Sequence, residues 1–150
     1  MFDRIEHILR ENPFFEDFDM DEIDLFAKQM SLRSFPEKTT IVNKGEIGSF
    51  LFFVVNGEVE VRLPGADRKQ VSLATLGRGD CAGEMSVIDD QPRSATIVSS
   101  TPSELLLLTK SRLKAINKEN PQLGLKFING LTKSISMKLR QTTTQYVDLA

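Results

Sequence analysis

Glu84 and Arg93 stand in the one stretch of this chain that breaks its strand rhythm, Gly79-Asp80-Cys81-Ala82-Gly83-Glu84-Met85-Ser86-Val87-Ile88-Asp89-Asp90-Gln91-Pro92-Arg93-Ser94-Ala95-Thr96. Gly83 permits a tight turn, and Glu84 to Ile88 suffice for about a turn of helix before Asp89-Asp90 ends it. The first backbone N–H groups of so short a helix have no partner within it. They form an anion site that favours a phosphate. Gln91-Pro92 is forced extended and returns the chain into a strand predicted to open with Arg93.

Three complementary groups then surround one small pocket. The Arg93 guanidinium offers a two-pronged, charge-assisted grip on a phosphate. Glu84, ionised, only accepts hydrogen bonds and suits the hydroxyl of a ribose. Ser94 can donate to a phosphate oxygen or to the edge of a base. One cationic side chain matches a cyclic phosphodiester, with its single negative charge, better than a triphosphate, and no Gly-rich lysine loop is present. Taken singly, each residue has a plainer role. Glu84 alone is an acid favoured by a helix N-terminus, Arg93 alone a solvated strand residue, and Ser94 a small residue tolerated beside a ligand.

The elements that position this segment follow from the apolar spacing. Ile5, Ile8 and Leu9 recur at helical intervals before Asn12-Pro13 breaks the pattern. Phe14, Phe15 and Phe18 crowd an acidic turn suited to plugging a hydrophobic groove, and Asp19 or Asp21 can cap a second helix carrying Ile23, Phe26, Ala27 and Met30. From Ser31 the period becomes two, with strands expected at 31–35, 39–43, 50–56, 58–63, 69–76, 93–99 and 104–109. Glu58 to Leu63 alternates cleanly, with one wet face and one on a core. Asn56-Gly57 reads as a hairpin turn, and many short strands with such turns suggest a barrel or jelly roll. After Thr109 the helical period returns: Leu113 and Ile116 belong to a short helix, and Asn120-Pro121 breaks it. A longer helix follows, with Leu125, Ile128, Leu131, Ile135 and Leu139 as one apolar stripe that packs first and dimerises second. The reading is a single domain over 1–150, with N-terminal helices at 1–30, the barrel at 31–109 and C-terminal helices at 110–150.

Composition narrows the functions open to such a chain. Its 150 residues suit one domain, and 19 Lys and Arg against 21 Asp and Glu give no basic excess for a nucleic-acid backbone. Cys81 is the only cysteine, a small core hydrophobe by expectation, so no internal disulfide or cysteine cluster can form. His7 is the only histidine, expected on a helix surface, and this excludes multi-histidine metal sites. No nucleophile–base pair is evident, so no enzyme activity, metal or cofactor is expected. The apolar runs Phe50–Val55 and Leu105–Leu108 are too short to span a bilayer. The charged N-terminus lacks the core of a signal peptide. A reduced, cytoplasmic setting is expected.

Gly83-Glu84-Met85-Ser86 followed by Pro92-Arg93-Ser94-Ala95-Thr96 resembles the phosphate-binding cassette of the cyclic-nucleotide-binding domain family, here 82–95. Upstream, Val42-Asn43-Lys44-Gly45-Glu46 and Phe52-Phe53-Val54-Val55-Asn56-Gly57-Glu58-Val59 match that family's structural glycines and barrel strands. The resemblance, which covers roughly 23–135, implies a mainly β fold: an eight-stranded antiparallel jelly-roll barrel with flanking helices. It implies a ribose 2′-hydroxyl on Glu84 and a cyclic phosphate on Arg93 and the Glu84–Ser86 backbone, so that Gly83, Glu84, Met85, Ser86, Arg93 and Ser94 form the ligand site. It also implies a C-terminal helix that moves when ligand enters. Thr142-Thr143, by their spacing from Leu131 and Leu139, resemble the Thr-Ser pair with which catabolite-activator proteins meet adenine across a helix dimer. Tyr146 could stack on the base.

The expected function is therefore a sensor of cyclic AMP or cyclic GMP. It would signal through its C-terminal helix to an effector protein or to a second subunit in a homodimer. The alternative is the sensor domain of a helix-turn-helix transcription regulator, cut where that DNA-binding domain would begin. In neither case is this chain expected to bind DNA or a membrane.

Overall fold

The computed structural model describes residues 2–67 and 69–149, with side chains described through residue 143. The chain divides into two compact units, Met1–Leu113 and Lys114–Ala150. The first opens with helices α1 (Phe2–Glu11) and α2 (Met20–Gln29), linked by a 3-10 turn at Pro13–Phe15. Asn12 starts that turn, its side-chain oxygen accepting the Phe14 N–H at 3.0 Å. Asp19, rather than Asp21, caps α2. Its carboxylate accepts the Glu22 N–H while the Glu22 carboxylate accepts the Asp19 N–H, each at 2.9 Å, a reciprocal capping box. Arg4 on α1 donates to the Glu104 carboxylate, and this contact holds that carboxyl below its usual range.

Eight strands follow: β1 (Ser31–Phe35), β2 (Thr40–Val42), β3 (Phe50–Asn56), β4 (Val59–Pro64), β5 (Gln70–Leu76), β6 (Cys81–Ala82), β7 (Thr96–Ser99) and β8 (Ser103–Thr109). They pair antiparallel in two four-stranded sheets, ordered β1-β8-β3-β6 and β2-β7-β4-β5. The mainly β class with flanking helices is thus as expected. Among the described residues the ladders form two rows and do not close into one hydrogen-bonded ring.

Between the sheets, Phe52, Val54, Ala82 and Leu105 of one meet Val42, Val59 and Ile97 of the other. The alternate residues of β3 face the opposite way, where the Phe53 ring lies 5.1 Å from Phe14 and 5.4 Å from Phe15, centre to centre. Both faces of β3 are covered, which explains its unbroken apolar run. The phenylalanines of the acidic turn do fill the groove foreseen for them: Phe15 is buried and touches the rings of Phe18 and Phe26 as well.

Three expectations need correction. Asn56-Gly57 is a corner and not a hairpin, because β3 and β4 lie in different sheets. Gly57, at φ +86°, sits so close to Pro102 and Ser103 that an added Cβ would lie 2.4 Å from the Pro102 carbonyl. Glu58 is pinned there too, its N–H donating to Thr101 Oγ1 and its carbonyl accepting from Ser100 N–H. The chain is thereby turned across to the other sheet. The second correction concerns Arg93, which precedes β7 rather than opening it; the turn at 45–46 claims its backbone first, as described below.

The third correction lies in the second unit, which α4 (Lys110–Glu119) enters and α5 (Pro121–Leu149) fills. Pro121 takes the first position of α5, where its missing N–H is harmless, and Asn120 Oδ1 accepts the Leu123 N–H at 3.2 Å. The buried face of α5 is Leu123, Phe127 and Leu131, whereas Leu125 is 61 % and Leu139 65 % exposed. The five-residue stripe is therefore split. Leu123, Phe127 and Leu131 recur every fourth residue and lie on one side; Leu125 is off that spacing, and Leu139, which keeps it, is carried round the helix because four residues exceed the 3.6 of one turn.

Candidate functional site

The cassette begins where β6 runs out. Cys81 and Ala82 are both buried and pair with Phe53 and Phe52. Gly83 follows at φ +81°, a left-handed conformation that glycine adopts at no steric cost. It serves close approach as well: an added Cβ would lie 2.7 Å from Arg93 Nη1 and 3.1 Å from the Phe50 carbonyl. Helix α3 (Glu84–Asp89) then makes little more than one turn. It ends at Asp90, φ +60°, whose N–H donates to the Ser86 carbonyl at 3.1 Å. Aspartate is among the few residues that tolerate this conformation, and here its carboxylate also pairs with the Lys110 ammonium.

Pro92 forms a single bridge with Ile47. Arg93 N–H donates to the Glu46 carbonyl at 2.7 Å, and Gly45 N–H to the Arg93 carbonyl at 2.8 Å. The turn after β2 therefore clasps the backbone of Arg93 and directs its side chain inward. Arg93 Nη1 donates to the Gly83 carbonyl at 3.0 Å and Nη2 to the Phe50 carbonyl at 2.6 Å. The guanidinium carbon lies 5.1 Å from the centre of the Phe50 ring, within cation–π range. The guanidinium has more N–H donors than these two carbonyls use.

Three polar side chains of the cassette are buried: Glu84 at 2 % exposure, Ser86 at 5 % and Arg93 at 6 %. Burial pushes the Arg93 guanidinium below its ordinary value, and the charges of Glu84 and then Glu46 oppose that shift. A buried acid and a buried arginine under one field can serve a single ligand that carries both a hydroxyl donor and an anion. Desolvation strengthens both contacts.

The expected residues are not alike in placement. Gly83, Glu84, Ser86 and Arg93 come together in the first unit. Met85 is 51 % exposed, and Ser94 is exposed too. Thr142 and Thr143 belong to the second unit, where their hydroxyls donate back to the Lys138 and Leu139 carbonyls at 3.0 and 2.9 Å. The side chain of Tyr146 lies outside the described residues. Sequence reasoning missed the carbonyls that grip Arg93, the Phe50 ring and Gly48. Their only signal was the loop Ile47-Gly48-Ser49 between two strands, with a glycine that no turn pattern demands. Among the described residues no group of three His, Cys, Asp or Glu could hold a metal, and no helix is long and apolar enough to cross a membrane.

Comparison with known proteins gives concordant results. Residues 32–120 match the profile of the cyclic nucleotide-binding domain family. The cAMP-activated global transcriptional regulator CRP of Haemophilus influenzae is 29 % identical over 85 % of this chain and 56 % of its own length. The cyclic AMP receptor protein of Thermus thermophilus is 28 % identical over 89 % of this chain and 60 % of its own. The chain thus spans little more than half of these relatives. Among solved structures, a cyclic nucleotide-binding domain from Methylobacillus flagellatus superposes with a TM-score of 0.87 at 27 % identity, covering 99 % of this chain and 84 % of that one.

Proposed function

The chain belongs to the cyclic nucleotide-binding domain family, and from that premise we propose that it is a non-catalytic sensor of cyclic AMP or cyclic GMP. The observation that carries this reading is the buried pair in the cassette, Glu84 at 2 % and Arg93 at 6 % exposure. An arginine held by two carbonyls is ready for a singly charged phosphate, and the buried Glu84 carboxylate is matched to a ribose 2′-hydroxyl. Backbone N–H groups of Glu84 to Ser86 complete the phosphate contact, with Gly83 as the turn before them and Ser94 at the rim. The two sheets correspond in this reading to the jelly-roll barrel of the family, and 1–150 to one functional domain in the cytoplasm.

Calorimetric titration with both nucleotides tests the proposal directly, and absence of binding to either would end it. The assignment of Glu84 has its own test. A 2′-deoxy cyclic nucleotide is expected to bind wild type more weakly by about 1–3 kcal/mol, the cost of a buried acceptor deprived of its donor. Glu84→Gln should shrink that discrimination. Equal binding of ribo and deoxy ligands by wild type would take the ribose away from Glu84.

Output runs, in this proposal, through α5 to an effector protein or to a second copy of the chain. The exposed Leu125 and Leu139 offer an apolar face to such a partner. Thr142 and Thr143 are the proposed contacts to the base. Truncation after Leu139 is then expected to weaken ligand affinity by about 1 kcal/mol or more, the scale of one or two hydrogen bonds. Thermal unfolding should show the β-sheet unit intact, and unchanged affinity would place the base contact elsewhere. A second reading, the sensor part of a longer transcription regulator, is favoured by the transcriptional regulator of Haemophilus influenzae, of whose length the chain covers only 56 %.

A further inference from the structure

Gly48 has no conformational reason to be glycine. The left-handed glycines among the described residues are Gly45, Gly57, Gly79 and Gly83, and Gly48 is not one of them. What distinguishes it is where its α-carbon lies. An added Cβ would stand 2.4 Å from Ser86 Cβ, 2.8 Å from Arg93 Cζ and 2.9 Å from Arg93 Nε. Gly48 is itself buried, as are the Ser86 and Arg93 side chains it faces. The guanidinium is thus bounded by the Gly83 carbonyl at Nη1, the Phe50 carbonyl at Nη2 and the Gly48 α-carbon along Nε and Cζ.

We propose that Gly48 is a positioning residue for the ligand's anion: the missing side chain sets the tilt of the Arg93 guanidinium and the depth of Ser86 beneath it. This rests on the cyclic-nucleotide reading above. Two carbonyls alone leave the guanidinium free to rock about the line joining them, whereas contact along Nε removes that freedom. A methyl group at 48 has no room unless the guanidinium swings off Phe50 and Gly83 or Ser86 is pushed away from it. Either movement spoils the two-pronged geometry on which a strong phosphate contact depends.

The test is Gly48→Ala, measured with cyclic AMP, its Rp and Sp phosphorothioates and 2′-deoxy cyclic AMP. Affinity for cyclic AMP is expected to fall about tenfold or more, the scale of one impaired charge-assisted hydrogen bond. Wild type should favour cyclic AMP over the phosphorothioate whose sulfur faces Arg93, and in Gly48→Ala that ratio should approach one. The ratio of ribo to 2′-deoxy affinities should stay unchanged, because none of the atoms nearest the added methyl belongs to Glu84. General damage to the fold would lower all affinities together and keep both ratios, which would overturn the proposal, as would unchanged binding.

A second arm needs no ligand. The Nε–H resonance of Arg93, assigned by its loss in Arg93→Lys, should move and exchange faster with water in Gly48→Ala. A stationary resonance would overturn the positioning role. Wild type that binds no cyclic nucleotide would instead overturn the functional reading and the anion role with it, while the Nε–H arm still decides whether Gly48 sets the guanidinium. Should Gly48→Ala fold poorly, Gly48→Ala with Ser86→Gly removes the tightest contact and carries the same two measurements.

Discussion

Replacing Arg93 by alanine is expected to weaken cyclic-nucleotide binding by about 2–5 kcal/mol, the usual loss when one partner of a buried, hydrogen-bonded charge pair is truncated. This corresponds to roughly thirtyfold to several-thousandfold in dissociation constant. The size follows from burial. At 6 % exposure little water can replace the lost guanidinium, so a bound phosphate would face only backbone donors. Lysine should recover only part of the loss. Its ammonium keeps the charge but lacks the fork that grips two carbonyls and an anion together. Removing Arg93 also deprives the Gly83 and Phe50 carbonyls of a donor, so some destabilisation will accompany the loss of affinity. Calorimetric titration below the unfolding temperature of each variant separates the two effects. Near-equal affinities for wild type and Arg93→Ala, with the fold intact, would remove Arg93 from the site.

Phe53→Ala is expected to cost about 3–5 kcal/mol of folding stability, the range for deleting a buried aromatic ring from a packed core. Phe53 is 1 % exposed and stands where β3 meets the 3-10 turn, with Phe14 and Phe15 against its ring. Those neighbours belong to a short turn fixed by Asn12, and Phe53 itself to a strand paired on both sides, so the cavity cannot readily collapse. A domain of ordinary stability, about 5–15 kcal/mol, would lose a large part of it. Urea denaturation should show a lower midpoint with an unchanged slope. The exposed Met20, 57 % accessible, is the control, since Met20→Ala should change stability by less than about 0.5 kcal/mol. A loss below about 1 kcal/mol at Phe53 would mean that the helical turn closes over the gap after all.

Some of this protein was open to reading before any coordinates. The alternation of Glu58 to Leu63 located β4 to within a residue, because a strand with one wet face must alternate. The break after Gly83 and the stop at Asp89-Asp90 delimited α3, since both depend on local backbone preferences. Asp19 and Asp21 stood equal as caps until the reciprocal bonds with Glu22 decided between them. Two-residue β6 was invisible, being too short for any periodicity.

What only the tertiary structure decided is how distant segments meet. A turn pattern at Asn56-Gly57 is the same for a hairpin and for a corner, and the outcome rests on the contacts of Gly57 and Glu58 with residues 100–103. Apolar residues of α5 can be counted in sequence, but which of them are buried depends on what packs against the helix: Leu123, Phe127 and Leu131 are covered, Leu125 and Leu139 are not. Glu84 and Arg93 announced their chemistry by type and order. The carbonyls of Phe50 and Gly83, the Phe50 ring and the bare α-carbon of Gly48 that aim the arginine did not. Backbone carbonyls occur at every position, and a glycine kept for close approach looks like any other until the group it touches has been folded against it.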